Sequence, residues 1–466
     1  TASYLEHHGL LPIARVDGHC RLATWLDEVD VQALDDLALL LDAEPELIRL
    51  PEEEVRAAIR RVYGPPSVTA EGVIASLTAA VQLGGDGEIP LDDLVHLANE
   101  APVVKLVNLL LLEALEARAS DVHLEGYADT LRVRYRIDGV LQEAPSPPTH
   151  LAPAVVSRLK IMADLDIAER RVPQDGRIRV RLQDRQVDVR VSTLPTLHGE
   201  SVVLRLLDKA RGRASLDELG LAQDTLAQLA RAISRPHGIV LATGPTGSGK
   251  TTTLYAALER IRTGREKILT VEDPVEYELP GVPQVPVNEK VGVTFATALR
   301  ALLRQDPDVM LVGEIRDEET AQIAIHAALT GHLVLSTLHT NDAVGALTRL
   351  QDLGVPAYLI ASTVEAVLAQ RLVRTICEDC KQRSGDGFRG SGCSRCRGTG
   401  YRGRSGIYEI LMVEDELRSA LVQRHSAAEL TRLAVAGGLR TLELDGRRKV
   451  EEGWTTAAEV LRVTRL

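Results

Sequence analysis

The sequence predicts an α/β protein of about three domains, because 466 residues far exceed the usual size of one domain. From 213 to 466, apolar strands alternate with helices in the manner of a doubly wound parallel sheet. Residues 86–212 carry strands of alternating polarity after one helix, which predicts a small α+β domain. Residues 1–85 predict a small helical N-terminal domain followed by a linker.

Composition and charge narrow the function classes. Lys and Arg number 54 against 66 Asp and Glu, and a formal net charge of −12 disfavours nucleic acid as a partner. The apolar run 103–112 contains Lys105 and Asn108, so we expect no transmembrane insertion. The first residues have no basic start followed by an apolar segment, so we expect no signal peptide and a cytoplasmic location.

The N-terminal domain has helical spacing at 31–40 and 51–60. Pro51 and the three glutamates after it favour a helix start. Paired prolines and a glycine cluster predict a linker over 64–90. This domain carries no catalytic pattern, so we interpret it as a docking or packing module.

The second domain begins with a helix predicted from 102 to 117. Four strands are expected after it, at 121–125, 131–137, 177–182 and 187–191. The turn dipeptides Asp138-Gly139 and Asp175-Gly176 adjoin them. The strands are rich in arginine, and solvated strand faces explain most of those side chains.

A phosphate-binding loop is the strongest motif of the chain. It follows the apolar strand 239–242 and precedes a predicted helix at 252–260, as the Gly-x-x-x-x-Gly-Lys-[Ser/Thr] pattern requires. Its backbone amides and Lys250 suit the phosphates of ATP, and the Thr251 hydroxyl suits Mg²⁺. The alternative is a chance glycine-rich turn. The predicted nucleotide-binding residues are Gly244, Pro245, Thr246, Gly247, Ser248, Gly249, Lys250, Thr251 and Thr252.

Carboxylates and histidines lie at the ends of later strands. The strand 308–314 ends in Glu314, which we assign to Mg²⁺ and the attacking water, while Asp308 is expected at the strand start. Another strand ends in Glu272, and the sequence leaves the general base open between the two glutamates. His332 and His339 flank a further strand, and we expect His339 to sense the γ-phosphate, although such histidines are more often loop residues.

Four cysteines form two Cys-x-x-Cys pairs, Cys377 with Cys380 and Cys393 with Cys396. Four thiolates at this spacing favour a closed structural Zn²⁺ site. An iron–sulfur cluster and two disulfides are the alternatives. Cys20 stands apart and is expected to be a small apolar residue.

Three segments resemble the aspartate box, the second acidic motif and the histidine box of secretion ATPases, namely 272–276, 312–317 and 330–341. The segments 119–125, 136–139 and 171–177 are similar to the second domain of that superfamily. Residues 189–195 and 198–209 most resemble the type II secretion ATPases, the GspE/PulE family. The resemblance runs from about 100 to 466. It implies a RecA-like ATPase domain at 213–466, which includes the tetracysteine element 377–396, and a PAS-like domain at 86–212.

The resemblance further implies that ATP hydrolysis powers pseudopilus assembly and protein export at the inner membrane. It implies a homo-hexamer, peripheral attachment through a platform protein that docks on the N-terminal domain, and the cofactors ATP, Mg²⁺ and Zn²⁺. Arg190 and Arg205 match arginines that reach toward the nucleotide, whereas a sheet-surface salt bridge is the rival role. The segment between the cysteine pairs is shorter than is usual in the family.

Three other functions remain open at this stage. A type IV pilus assembly ATPase shares nearly all these motifs. A nucleic-acid motor and a nucleotide-gated scaffold without turnover are the other two.

Overall fold

The computed structural model describes residues 2–16, 19–26, 29–41, 43–63, 70, 74, 101–182, 185–208, 214–385 and 387–465. The predicted linker 64–90 lies outside the described residues except for Ala70 and Ile74. The predicted domain boundaries at 85/86 and 212/213 also fall outside them.

The N-terminal domain mixes helices with a sheet. Its elements are α1 (Ala2–His8), β1 (Leu10–Val16), β2 (His19–Thr24), α2 (Val31–Leu41), β3 (Glu44–Arg49) and α3 (Glu52–Tyr63). The strands form a sheet in the order β1-β2-β3, antiparallel and then parallel. The two predicted helices are confirmed as α2 and α3, but the prediction of a helical domain is wrong. β3 is almost wholly exposed, so no apolar alternation marks it in the sequence.

The second domain packs two helices on one face of an antiparallel sheet. Its elements are α4 (Ala101–Glu116), β4 (Ala119–Gly126), β5 (Leu131–Ile137), β6 (Val140–Glu143), α5 (Ala152–Met162), β7 (Gln174–Leu182), β8 (Arg185–Thr196) and β9 (Gly199–Asp208). The strand order is β6-β5-β4-β9-β8-β7. Apolar residues of alternate positions, such as Val122 and Tyr135, form the core with α4 and α5. The helix and the four strands predicted here are confirmed.

The third domain contains the remaining elements. Its helices are α6 (Gln223–Ile233), α7 (Lys250–Ile261), α8 (Phe295–Leu302), α9 (Glu318–Leu329), α10 (Ala343–Asp352), α11 (Ala357–Thr363), α12 (Asp415–Val422), α13 (Ala427–Ala436), α14 (Leu442–Glu451) and α15 (Ala457–Thr464). Its strands are β10 (Gly238–Thr243), β11 (Ile268–Glu272), β12 (Gln284–Pro286), β13 (Val309–Val312), β14 (Leu333–Leu338), β15 (Val364–Ile376), β16 (Lys381–Ser384), β17 (Gly387–Gly390) and β18 (Tyr401–Met412).

Seven of these strands form one sheet in the order β12-β11-β13-β14-β10-β15-β18. All pair in parallel except β15 with β18. Apolar clusters cover both faces, which explains why β10, β11, β13 and β14 are buried along their whole length. The predicted doubly wound domain is confirmed, and the carboxyl ends of β10, β11, β13 and β14 share one edge. Among the described helices, none is long and apolar enough to cross a membrane.

Candidate functional site

The phosphate loop lies between the central strand β10 and helix α7, as the sequence predicts. Gly244, Gly247 and Gly249 have φ of +146°, +79° and +90°, a region that glycine tolerates best. The loop therefore curls back over the end of β10, and its glycines suit amides that converge on phosphate. Thr251 and Thr252 are half-buried in the first turn of α7.

Lys250 points back into the loop. Its Nζ donates to the carbonyl oxygens of Gly244, at 2.7 Å, and Pro245, at 3.2 Å. Burial lowers its pKa to about 8, and the charge of Arg371 acts in the same direction while Glu314 opposes it. The ammonium thus lies inside the curl of the loop, with two loop carbonyl oxygens as its acceptors.

Glu314 lies just beyond β13 and beside His339, which follows β14. Its Oε2 is 3.3 Å from Nε2 of His339, and its Oε1 is 2.6 Å from the Arg316 guanidinium. Burial would raise the pKa of Glu314, but Arg316 and His339 outweigh that effect and lower the pKa. The structure therefore brings together Glu314, which the sequence assigned to Mg²⁺ and the attacking water, and His339, which it assigned to the γ-phosphate. His332 instead lies 2.9 Å from the Ala327 carbonyl oxygen through Nδ1. It is therefore a hydrogen-bonded loop residue, as such histidines most often are.

Glu272 occupies a different environment. Its carboxylate is 3% exposed and accepts from Tyr255 Oη, from Thr270 Oγ1 at 2.6 Å and from Gln284 Nε2 at 3.1 Å. Tyr255 belongs to α7, so the network ties the end of β11 to the helix that carries Lys250. In this conformation Glu272 would have to exchange a donor before it could activate water. Asp308 accepts from the Lys267 amide at 2.7 Å, the strand-start role predicted for it.

Arg190 and Arg205 face each other across β8 and β9, on the sheet face opposite the second-domain core. They line a cavity of about 430 Å³ together with Arg177, which pairs with Arg190 across β7 and β8. Arg205 Nε lies 3.0 Å from an Asp121 oxygen. This ion pair is the alternative role that the sequence left open for the arginine. Arg190 reaches the third domain, where its guanidinium is 3.9 Å from Glu276. Burial lowers the pKa of Arg190, and Arg177 and Arg205 add to that effect, while Glu276 opposes it.

Sequence reasoning missed Gln370 and Arg371 in β15. Both are buried next to the phosphate loop, and Gln370 Nε2 donates to the Ser248 carbonyl oxygen at 2.7 Å. The available signal was a pair of polar residues inside an apolar strand.

The four paired cysteines form one cluster. Their sulfur atoms lie within 4.8 Å of one another, with Sγ–Sγ distances of 3.8 Å for Cys377–Cys393, 3.8 Å for Cys380–Cys396 and 3.7 Å for Cys393–Cys396. All are free thiols, so the disulfide alternative is wrong. A tetrahedron with metal–sulfur bonds of about 2.3 Å has sulfur separations of about 3.8 Å, so the cluster fits a metal ion.

Backbone amides also donate hydrogen bonds to one sulfur atom of this cluster. The amides of Cys393 and Gly400 donate to Cys396 Sγ at 3.1 and 3.3 Å. Burial opposes ionisation of Cys396, but these donors prevail and lower its pKa to about 6. Cys20 lies apart, in the core of the N-terminal domain, as expected.

A buried parallel strand, a glycine loop with its lysine, and an acid beyond a neighbouring strand define a nucleotide-hydrolase fold of the RecA-like P-loop class. Residues 96–462 match the family described as Type II/IV secretion system protein. The chain belongs to this family.

Curated relatives extend the match. Type II secretion system protein HxcR of Pseudomonas aeruginosa is 53% identical over 83% of this chain and 85% of its own. Type II secretion system protein E of the same organism is 46% identical over 99% of this chain and 95% of its own. Type IV pilus assembly ATPase PilB of Myxococcus xanthus is 43% identical over 98% of this chain and 84% of its own.

Solved structures share the fold. The pilus retraction motor PilT with bound ADP has a TM-score of 0.54 and 27% identity, over 76% of this chain and 95% of its own. The Legionella pneumophila ATPase DotB has a TM-score of 0.60 at 22% identity, over 78% and 95%.

Proposed function

We propose that this chain hydrolyses ATP to power protein export by a type II secretion system. The observation that carries the proposal is the phosphate loop, with Lys250 held at its centre and Glu314 beside His339 at the same sheet edge. Relatives named for type II secretion reach 53% identity and support the choice of pathway. The reaction is transfer of the γ-phosphoryl group of ATP to water, which yields ADP and phosphate.

The loop and the residues around it have distinct roles in this reaction. The amides of 246–250 and the Lys250 ammonium would hold the β and γ phosphates, and the Thr251 hydroxyl with Glu314 would hold Mg²⁺. Mg²⁺ supplies neutralisation of phosphate charge when bound. His339 would contact the γ-phosphate from the side of Glu314. Arg190 and Arg205 would reach the nucleotide after the second domain moves, with Arg190 leaving Glu276.

Substitution of the loop lysine tests the proposal. Lys250→Ala should abolish Mg-ATP binding and phosphate release, because it removes the cation at the phosphate site. Lys267→Ala is the matched control, since this exposed lysine lies outside the loop, and it should behave as the wild type. Wild-type turnover by Lys250→Ala would overturn the assignment. An absence of turnover in the wild type would leave the nucleotide-gated scaffold.

We propose Zn²⁺ as the ion of the tetracysteine cluster, in a structural role, because four thiolates complete a tetrahedral shell and leave no position for water. The Sγ–Sγ distances support this choice. An iron–sulfur cluster would instead give a coloured protein with iron on metal analysis.

We also propose a homo-hexamer that attaches peripherally to the inner membrane. An inner-membrane platform protein would dock on the N-terminal domain. Exposed leucines at 39, 40 and 47 of that domain support a docking surface. Co-purification of the full chain with the platform protein, and its loss on deletion of 1–85, tests the docking. Light scattering in Mg-ATP tests the hexamer.

Two other functions have distinct signatures. The similarity to PilB supports a pilus assembly ATPase as one alternative. In that case a strain without the gene would lack surface pili and would still export its enzymes. A nucleic-acid motor would show turnover stimulated by DNA or RNA at moderate salt, which the acidic balance of the chain disfavours.

A further inference from the structure

Gln370 and Arg371 lie beside the phosphate loop for a topological reason. β15 runs parallel to β10, and Ala369 pairs with Thr243, the last residue of β10. The next two residues of β15 therefore extend along the loop itself. Successive side chains of a strand point to opposite faces, so the two residues flank the loop from its two sides. They are 1% and 4% exposed.

Gln370 fixes the loop directly. Its Nε2 donates to the Ser248 carbonyl oxygen at 2.7 Å, one residue before Gly249. Its own carbonyl oxygen would lie 2.5 Å from a Cβ at Gly244. The backbone of β15 thus approaches Gly244 so closely that a side chain there would not fit.

Arg371 joins the loop region to the segment that follows β14. Its Nη2 donates to the Asn341 carbonyl oxygen at 2.9 Å and to the Asn341 Oδ1 at 3.3 Å. Its Nη1 donates to the Gln370 carbonyl oxygen at 3.1 Å and would lie 3.1 Å from a Cβ at Gly244. Asn341 is two residues beyond His339. One guanidinium therefore spans the phosphate loop and the segment that carries His339.

Arg371 is buried without a salt bridge. In the part of the chain that the structure describes, its hydrogen-bond acceptors are carbonyl oxygens, and its Nε has no acceptor. Glu409 and Asp342 are the acids that act on it, but Glu409 accepts from the amides of Ala343 and Leu442, at 2.8 and 3.2 Å. A buried guanidinium without a paired anion is costly, so its retention calls for a compensating role.

Two further buried polar atoms belong to the loop and to β15. Within the described residues, Ser248 Oγ and Gln370 Oε1 lack hydrogen-bond partners. Ser248 Oγ would lie 2.7 Å from a Cβ at Gly244, a position that also meets the Gln370 backbone oxygen and Arg371 Nη1. The Ser248 hydroxyl is therefore a free donor at the phosphate loop, whereas Gln370 Oε1 can only accept.

We propose that Arg371 is a positioning residue for nucleotide binding. It holds the segment after β14 against the phosphate loop and places a buried positive charge without a salt bridge beside the phosphate site. Both loops then bind Mg-ATP as one unit. The inference rests on the proposed function, that this loop binds ATP.

Calorimetric titration of the full chain with Mg-ATP tests the inference. Arg371→Gln should raise the Kd roughly tenfold, because one nearby charge and the tie to Asn341 are lost. Arg371→Lys should restore most of the affinity, since it keeps the charge. The matched control is Arg374→Gln in the same strand, where Arg374 pairs with Glu459 instead, and its Kd should equal that of the wild type.

Asn341→Ala supplies the readout that a purely structural arginine would not change. Asn341 is exposed, and its replacement by Ala removes the Oδ1 contact but keeps the carbonyl contact, so the Kd should rise at most about twofold. The change should add nothing in the Arg371→Gln background, because the guanidinium that Asn341 contacts is then absent. If Arg371→Gln does not fold, Arg371→Met, which keeps an apolar stem and removes the charge, takes its place, and a wild-type Kd in Arg371→Met overturns the inference.

Three results would contradict the inference. The first is a wild-type Kd for Mg-ATP in Arg371→Gln. The second is a Kd in Arg371→Lys that is as high as in Arg371→Gln, and the third is a Kd in the double variant that is raised by the product of the two single effects. Failure of the proposed function looks different, because the wild type itself would then not bind Mg-ATP.

Discussion

The two glutamates at the sheet edge should differ sharply in what their neutralisation does to stability. Glu272 is 3% exposed, and every partner of its carboxylate is a donor. In Glu272→Gln the amide oxygen can keep the donors Thr270 and Gln284, but the amide nitrogen then faces Tyr255 Oη, whose hydroxyl must turn away, and no acceptor of this network is charged any longer. A hydrogen bond to a charged group contributes about 1.5–3 kcal/mol, so we expect a loss of about 2 kcal/mol.

Glu314→Gln should cost less than about 1 kcal/mol. The partners of Glu314 are exposed, at 59% for Arg316 and 47% for His339, so both can turn to water when the charge is removed. Urea denaturation of both variants at neutral pH measures the difference. An equal loss in the two variants, or a larger loss in Glu314→Gln, would refute the reasoning from donors.

The same pair of variants assigns the general base. Removal of a general base lowers turnover by about 10²–10⁴ and leaves ground-state binding in place. The base is therefore the glutamate whose variant keeps Mg-ATP affinity and loses phosphate release. A variant that also loses Mg²⁺-dependent affinity has lost the metal ligand, which we expect for Glu314→Gln.

Two further predictions concern the metal cluster and acid stability. Cys396→Ser should lose the bound zinc and expose the amides of β16 and β17 to hydrogen exchange, and a full zinc content by metal analysis would contradict the site. In Glu459, burial is outweighed by hydrogen bonds from Arg462 and Arg374, and the pKa falls from 4.5 to about 2. This lowered pKa stabilises the fold above pH 4.5, and at most about 3 kcal/mol is lost as the pH falls toward 2. The urea concentration at the midpoint of unfolding should fall in the wild type as the pH is lowered from 4.5 toward 2. In Glu459→Gln it should change less over the same range. Parallel pH curves for the two proteins would contradict the prediction.

The phosphate loop could be predicted because its information is local. A strand, a glycine loop and a helix start occupy consecutive residues, and the positive φ at Gly247 and Gly249 permits the turn without help from distant residues. The cysteine pairs and the antiparallel strands of the second domain are also short patterns. Their positions in the structure agree with the sequence for that reason.

The remaining features depend on contacts between distant residues. β3 is exposed and gains its place only by pairing with β2, so no apolar alternation marks it. Arg371 contacts Asn341, 30 residues away, and Gln370 contacts Ser248, 122 residues away. Such partners follow from the order of strands in the sheet, which the sequence of β15 does not contain.

The role that we propose for Arg190 begins from its contact with Glu276. The pair is 3.9 Å apart, with the Arg190 side chain 25% and the Glu276 side chain 42% exposed, and a pair of this kind contributes under about 1 kcal/mol. A γ-phosphate carries more charge and takes bidentate hydrogen bonds from a guanidinium. In the proposed function, exchange of Glu276 for the phosphate would therefore be favourable, and we expect Glu276→Gln to raise the affinity for Mg-ATP because it removes the competing anion.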